Sequence, residues 1–172
     1  MPIVADTQAR GINEAIRELA KLDPTLRRDL KREAKQIVRP IIDDAKKRYP
    51  NTAKGRSPLR GVNYNWEAIA GSGFPYDGAA ARRGLRFFAD IGRPNRTVIR
   101  VRQINAAAAV LEYVGRGNAL GQAVGARYGF RNRFLWASAE KEVPNVIREM
   151  RLVIDRMVFG INRRNQADSA RM

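Results

Sequence analysis

The chain holds neither histidine nor cysteine. The side chains used most often for acid–base and nucleophilic chemistry near neutral pH are therefore missing, and with them the Ser-His and Cys-His pairs and thiolate zinc sites. Carboxylate, lysine and tyrosine remain. Asp43 with Asp44, and Glu140 with Glu142, are the carboxylate pairs that could suggest metal ligands. On a helix only residues three or four apart share a face, so adjacent carboxylates and those two apart diverge. These pairs read as solvated, no metal site is expected, and the chain reads as no enzyme. The GRGNALG run at 115–121 lacks the G-x-G-x-x-G spacing and is followed by no Walker lysine, so no cofactor is expected either.

Recognition chemistry is better represented. In 172 residues there are 33 basic and 17 acidic side chains, a formal net charge of +16, and 26 of the basic residues are arginine. The planar guanidinium fork suits phosphate and carboxylate, although a composition bias of the source genome would give the same ratio. The excess is concentrated. Residues 51–105 carry a net +7, against +4 for residues 1–50. Arg82, Arg83, Arg86, Arg93, Arg96, Arg100 and Arg102 are the candidates for facing a phosphate backbone or an acidic partner protein.

The elements that must position them follow from periodicity. Asp6 or Thr7 is expected to cap a first helix with Ile12, Ala15, Ile16 and Leu19 on one face. Asp23 and Pro24 restart a helix to about Tyr49, with Leu26, Leu30, Ala34, Ile37, Ile41 and Ala45 as its apolar stripe and a bend at Pro40. Glycine and proline then make 50–84 an extended irregular arm. Its aromatics, Tyr64, Trp66, Phe74 and Tyr76, are expected either to cover a sheet or to pack on a neighbouring subunit. Arg116 and Arg127 join them as candidate subunit contacts.

From Leu85 the chain alternates as a half-buried strand: Leu85, Phe87, Ala89 and Ile91 on one side, Arg86, Phe88 and Asp90 on the other. A hairpin loop at 92–96 leads to a return strand at 97–103. Val110, Leu111, Tyr113 and Val114 suggest a third strand from about Ala108, unless the preceding alanines extend a helical turn. The glycines of 115–132 suggest a flexible loop bearing arginines. Phe134, Leu135 and Trp136 then anchor a long helix whose stripe is Ala139, Val143, Ile147, Met150, Ile154, Met157 and Ile161, with a kink or break at Pro144. Residues 162–172 are expected to fray. The expected fold is α+β: one domain over 1–172, with a small antiparallel sheet of three to four strands packed by N-terminal helices and a long C-terminal helix. No apolar run is long enough to span a bilayer and no secretory leader pattern opens the sequence, so the chain reads as soluble and unsecreted, without membrane partners.

The order of elements, the LEYVG run at 111–115 and the RFLW run at 133–136 opening the last helix resemble the neck or tail-completion proteins of long-tailed bacteriophages, the minor tail and head-tail connector components. The long 50–84 segment departs from that pattern. The resemblance implies a structural virion protein, assembled in the host cytoplasm, that forms a homo-oligomeric ring of six-fold or twelve-fold symmetry. Such a ring joins the portal, adaptor or stopper side of the head to the tail terminator or tail tube and forms part of the conduit for double-stranded DNA. A lumen must let DNA slide, so most of the arginines are expected to dock partners. The competing expectation is a free basic protein that binds double-stranded nucleic acid.

Overall fold

In the computed structural model, residues 24–62, 66, 75–93, 96–130 and 133–169 are described, the side chains of 24, 91–93, 96–98, 164–165 and 167–169 excepted. The expected first helix lies outside these residues. The chain is a mixture of helices with one antiparallel hairpin and a long C-terminal helix. In order it forms α1 (Pro24–Arg48), α2 (Gly78–Arg83), β1 (Leu85–Arg93), β2 (Arg96–Gln103), α3 (Ala106–Tyr113), α4 (Ala119–Tyr128) and α5 (Leu135–Ser169). Its contacts divide into two compact units. One comprises Met1–Arg39, Phe87–Arg100 and Val143–Met172; the other comprises Pro40–Arg86 and Val101–Glu142.

The first unit follows from helical and strand periodicity. Leu30 and Ala34 of α1 pack with Met150, Val153 and Ile154 of α5, and Phe87, Ala89 and Ile99 of the hairpin close over them. Each larger side chain withdrawn from water here contributes about 1.5–3 kcal/mol. The alternation expected of β1 holds, since Phe88 points the other way and is exposed. Pro40 and Pro144 lie inside α1 and α5 without ending them. The last helix reaches Ser169, so the frayed tail expected from 162 is helical over most of its length.

The second unit is built differently. The expected third strand is the helix α3, and the sheet has two strands rather than three to four. Asn105 explains the difference: its side chain accepts from the Ala108 N–H at 2.9 Å, which caps the alanine run and starts it as a helix before the strand-forming residues that follow it are reached. The expected flexible loop likewise contains α4, capped by Asn118 accepting from Gly121 N–H at 2.7 Å. Two glycines of α4 serve close approach. A Cβ at Gly121 would lie 1.6 Å from the Gly115 carbonyl oxygen, and one at Gly125 1.9 Å from the Phe130 ring.

Among the described residues no helix is long and apolar enough to cross a membrane.

Candidate functional site

Three of the seven candidate arginines come together. A tight turn at Gly84 joins α2 to β1, and its N–H returns to the carbonyls of Ala80 and Ala81 at 2.8 and 3.2 Å. Gln103 of β2 donates through Nε2 to the Ala81 carbonyl at 2.9 Å, and its Oε1 accepts from Asn105 N–H at 2.9 Å. These bonds fix the end of α2 against the base of the hairpin. Arg82 and Arg83 therefore leave the last turn of α2 beside Arg86 on β1, and Lys46 of α1 completes the set. With Ala79 and Leu85 these cations line an open groove of about 590 Å³.

The charges in this groove are poorly neutralised. Arg82 donates from Nη2 to the neutral Asn51 Oδ1 at 2.8 Å, which orients the guanidinium without cancelling it. Lys46 has Asp43 at 3.7 Å, with both side chains about half in water. Among the described residues no ion pair is made by Arg82, Arg83 or Arg86. Among the described residues no aromatic ring lines the groove, and Leu85 is buried, so Ala79 is the one exposed apolar side chain in that lining.

The other sequence candidates lie elsewhere. Arg100 is half-buried on β2 in the first unit, and Arg102 is exposed near the end of β2 in the second. Arg93 and Arg96 belong to the strands by backbone, and their side chains lie outside the described residues, as do Tyr64 and Phe74. Trp66 and Tyr76 are 1 % and 0 % exposed, so the chain's own core encloses them. They meet edge to face at 6.4 Å, and the Tyr76 hydroxyl donates to the Pro50 carbonyl at 2.9 Å. Burial raises the Tyr76 phenol well above its ordinary range. Arg116 and Arg127 do reach the surface, where the Arg116 guanidinium stacks over Phe130 at 4.4 Å and Arg127 lies 5.9 Å from the Tyr128 ring.

A second polar cluster was not foreseen from the sequence. The Glu112 carboxylate, from α3, accepts from the N–H groups of Leu135 and Trp136 at 3.2 and 3.1 Å and so caps the start of α5. It also accepts from the Tyr49 hydroxyl at 3.2 Å. Negative charge at that end is favoured by the helix dipole and by the unpaired first-turn donors. Arg133, just before α5, reaches back. Its guanidinium donates to the carbonyls of Leu111, Glu112, Val114 and Gly129 at 2.7, 3.2, 2.8 and 2.9 Å. Burial lowers the Arg133 pKa, and the Glu112 charge works against that shift. Tyr49 is pushed up, first by burial and then by the same carboxylate. Phe134 seals the cluster, stacked on Tyr49 at 4.7 Å and edge-on to Tyr128 at 5.1 Å. These bonds of Glu112 and Arg133 all run to the chain's own backbone and to Tyr49, so this cluster ties α3, α5 and the segment between them together.

Asp44, one of the paired carboxylates, is also occupied. It accepts from Arg48 Nε at 2.7 Å and from the Ser138 hydroxyl at 2.8 Å. Those bonds, in that order, hold its carboxyl below the usual range. Among the described residues no three acidic side chains converge as a metal site would require.

No family model matches the chain, and no curated protein or solved structure matches it.

Proposed function

We propose that the protein is a structural subunit of the neck of a long-tailed bacteriophage, assembling as a ring between the DNA-filled head and the tail. The observation that carries this reading is the interlock of the two motifs on which the resemblance rests. LEYVG supplies the carboxylate that caps α5 and the carbonyls that hold Arg133, while RFLW supplies that arginine, the capped N–H groups and the sealing ring. Motifs separated in sequence share one job, which is to cap and anchor the first turn of a long helix. Such an anchored helix start supports the reading of a structural subunit.

The surface supports the same reading. A ring needs two unlike patches on each subunit, one to give and one to receive. On the first unit α5 exposes Leu152 and, two turns on, Phe159, the latter 71 % accessible. The second unit carries the cationic groove and, at Arg116 and Phe130, an exposed cation–π pair. Phe159 is the apolar anchor that a neighbouring copy or an adjoining ring would cover.

Negative-stain electron microscopy of the purified chain, with light scattering on the same sample, is the test. Annular particles are expected, and Phe159→Ser is expected to disperse them without shifting the melting temperature. A concentrated sample that stays monomeric and shows no annuli, from a coding region placed among metabolic genes rather than beside portal and tail-tube genes, would overturn the reading.

A further inference from the structure

We propose that the groove formed by Lys46, Arg82, Arg83 and Arg86 is a contact for the phosphodiester backbone of double-stranded DNA, made without reading its sequence. The inference deepens the neck reading, from which it takes the identity of the polymer. The argument from the groove itself is chemical.

Its charged lining comes from separate elements, α1, α2 and β1, so these cations are converged by the fold rather than strung along one solvated face. Among the described residues Lys46 alone of these cations has a carboxylate beside it, and that pair is long at 3.7 Å. Arg82 is held by an amide oxygen, which aims its fork while leaving the charge to be satisfied from outside. Arg83 and Arg86 are exposed, so an arriving anion meets their charges directly and can take charge-assisted hydrogen bonds from their guanidinium groups.

The lining also decides between anions. An acidic protein surface binds with an apolar centre inside its polar rim, where desolvated anchors supply most of the affinity. This groove has no such centre, because Leu85 is only 5 % exposed and Ala79 is a single methyl group. Nor, among the described residues, does it hold an aromatic ring on which an unpaired base could stack, so single strands gain nothing from this lining beyond charge. What remains matches a duplex backbone: an open groove lined by arginine forks and one lysine. Such contacts exchange condensed counterions and carry no sequence information, so the DNA can slide along them. An adhesive lining would jam a conduit; a few exchangeable contacts per subunit do not.

Salt dependence supplies the measurement. Fluorescence anisotropy of the full-length protein with two labelled 24-bp duplexes of unrelated sequence, titrated over a range of salt, gives the slope of log K against log salt. Four phosphate contacts correspond to a slope of about −3.6, and each cation removed lowers its magnitude by about 0.9. Arg83→Gln with Arg86→Gln, both exposed in the free chain, is expected to reduce the slope by about 1.8, with tenfold or greater weakening at moderate salt. Adding Arg82→Gln extends the loss. Arg151→Gln with Arg156→Gln, on the exposed face of α5, removes the same charge and is expected to leave both quantities nearly unchanged.

Equal losses in the two double variants would reduce the effect to net charge and overturn the proposal. So would discrimination between the duplexes, or displacement of DNA by polyglutamate at comparable charge concentration. Circular dichroism on each variant ensures that folded protein is compared. The oligomeric state, read from the same samples by light scattering, is a separate axis: a monomer that binds DNA through the groove removes the ring but keeps this inference, and a ring indifferent to the groove arginines does the reverse.

Discussion

The two compact units of this chain hold together by different physics. In the unit containing α5 beyond Val143, cohesion is apolar area: Leu30, Ala34, Met150, Val153 and Ile154 share one cluster with the inward side chains of the hairpin. In the other unit, short glycine-bearing helices are tied by a carboxylate and a guanidinium that bind backbone. The first arrangement tolerates adjustment, because dispersion and desolvation are non-directional. The second does not, since each bond has a geometry and each unmade bond leaves a buried polar group.

Removing Arg133 should separate the two most sharply. Arg133→Ala orphans the carbonyls it serves, and the loss is expected to be about 3–5 kcal/mol, the scale for breaking a buried charged network. Arg133→Lys should recover little of it, because one ammonium cannot span four carbonyls. Urea midpoints measure both, and a lysine variant as stable as the parent would mean that charge, not the fork, is what the site uses. In the apolar unit, Ile154→Ala is expected to cost about 2–5 kcal/mol through lost transfer energy and a residual cavity. Ile154→Leu should return most of that stability, in contrast to the lysine variant, and the same titrations compare them. Smaller still, Gly121→Ala drives a methyl group into the Gly115 carbonyl and should destabilise by about 1–3 kcal/mol. An unchanged thermal midpoint there would show that the 114–118 turn yields freely.

The mildest contrast is in pH. The Asp44 carboxyl sits below its ordinary range in the folded chain, chiefly through Arg48 and then Ser138. Folding therefore weakens its hold on the proton, and the stability it contributes is present above the usual carboxylate range and lost as pH falls through it. Asp44→Asn should be less stable than the parent at neutral pH, with the gap closing on acidification. A gap that widens in acid would reverse the assigned sign.

The same difference governs what could be read before the coordinates. Apolar stripes at steps of three and four placed α1 and α5, and the alternation from Leu85 placed the hairpin, because one-dimensional periodicity encodes a buried face directly. The cap at Asn105 was written in the sequence too, but Val110, Leu111 and Tyr113 argued for strand, and β propensity yields to context. The reach of Arg133 to Leu111 and Gly129 leaves no periodic trace. Nor does the arrival of Lys46 beside Arg83, since convergence from separate elements is a property of the fold rather than of any window of residues. Trp66 and Tyr76, expected to cover a sheet or to pack on a neighbouring subunit, are enclosed by the chain itself.

Both tryptophans of the chain, Trp66 and Trp136, fall in the hydrogen-bonded unit. One is sealed with an indole N–H that finds no acceptor among the described residues, and the other is 54 % accessible. Indole emission is thus a private optical channel: a blue-shifted chromophore beyond the reach of iodide and a red-shifted one within it, both blind to the other half. Far-ultraviolet ellipticity is dominated by α1 and α5, whose longer parts lie in the first unit. On heating, the two signals diverge if the halves melt in turn and coincide if they melt as one, so the placement of two side chains gives an unlabelled chain its own test of cooperativity.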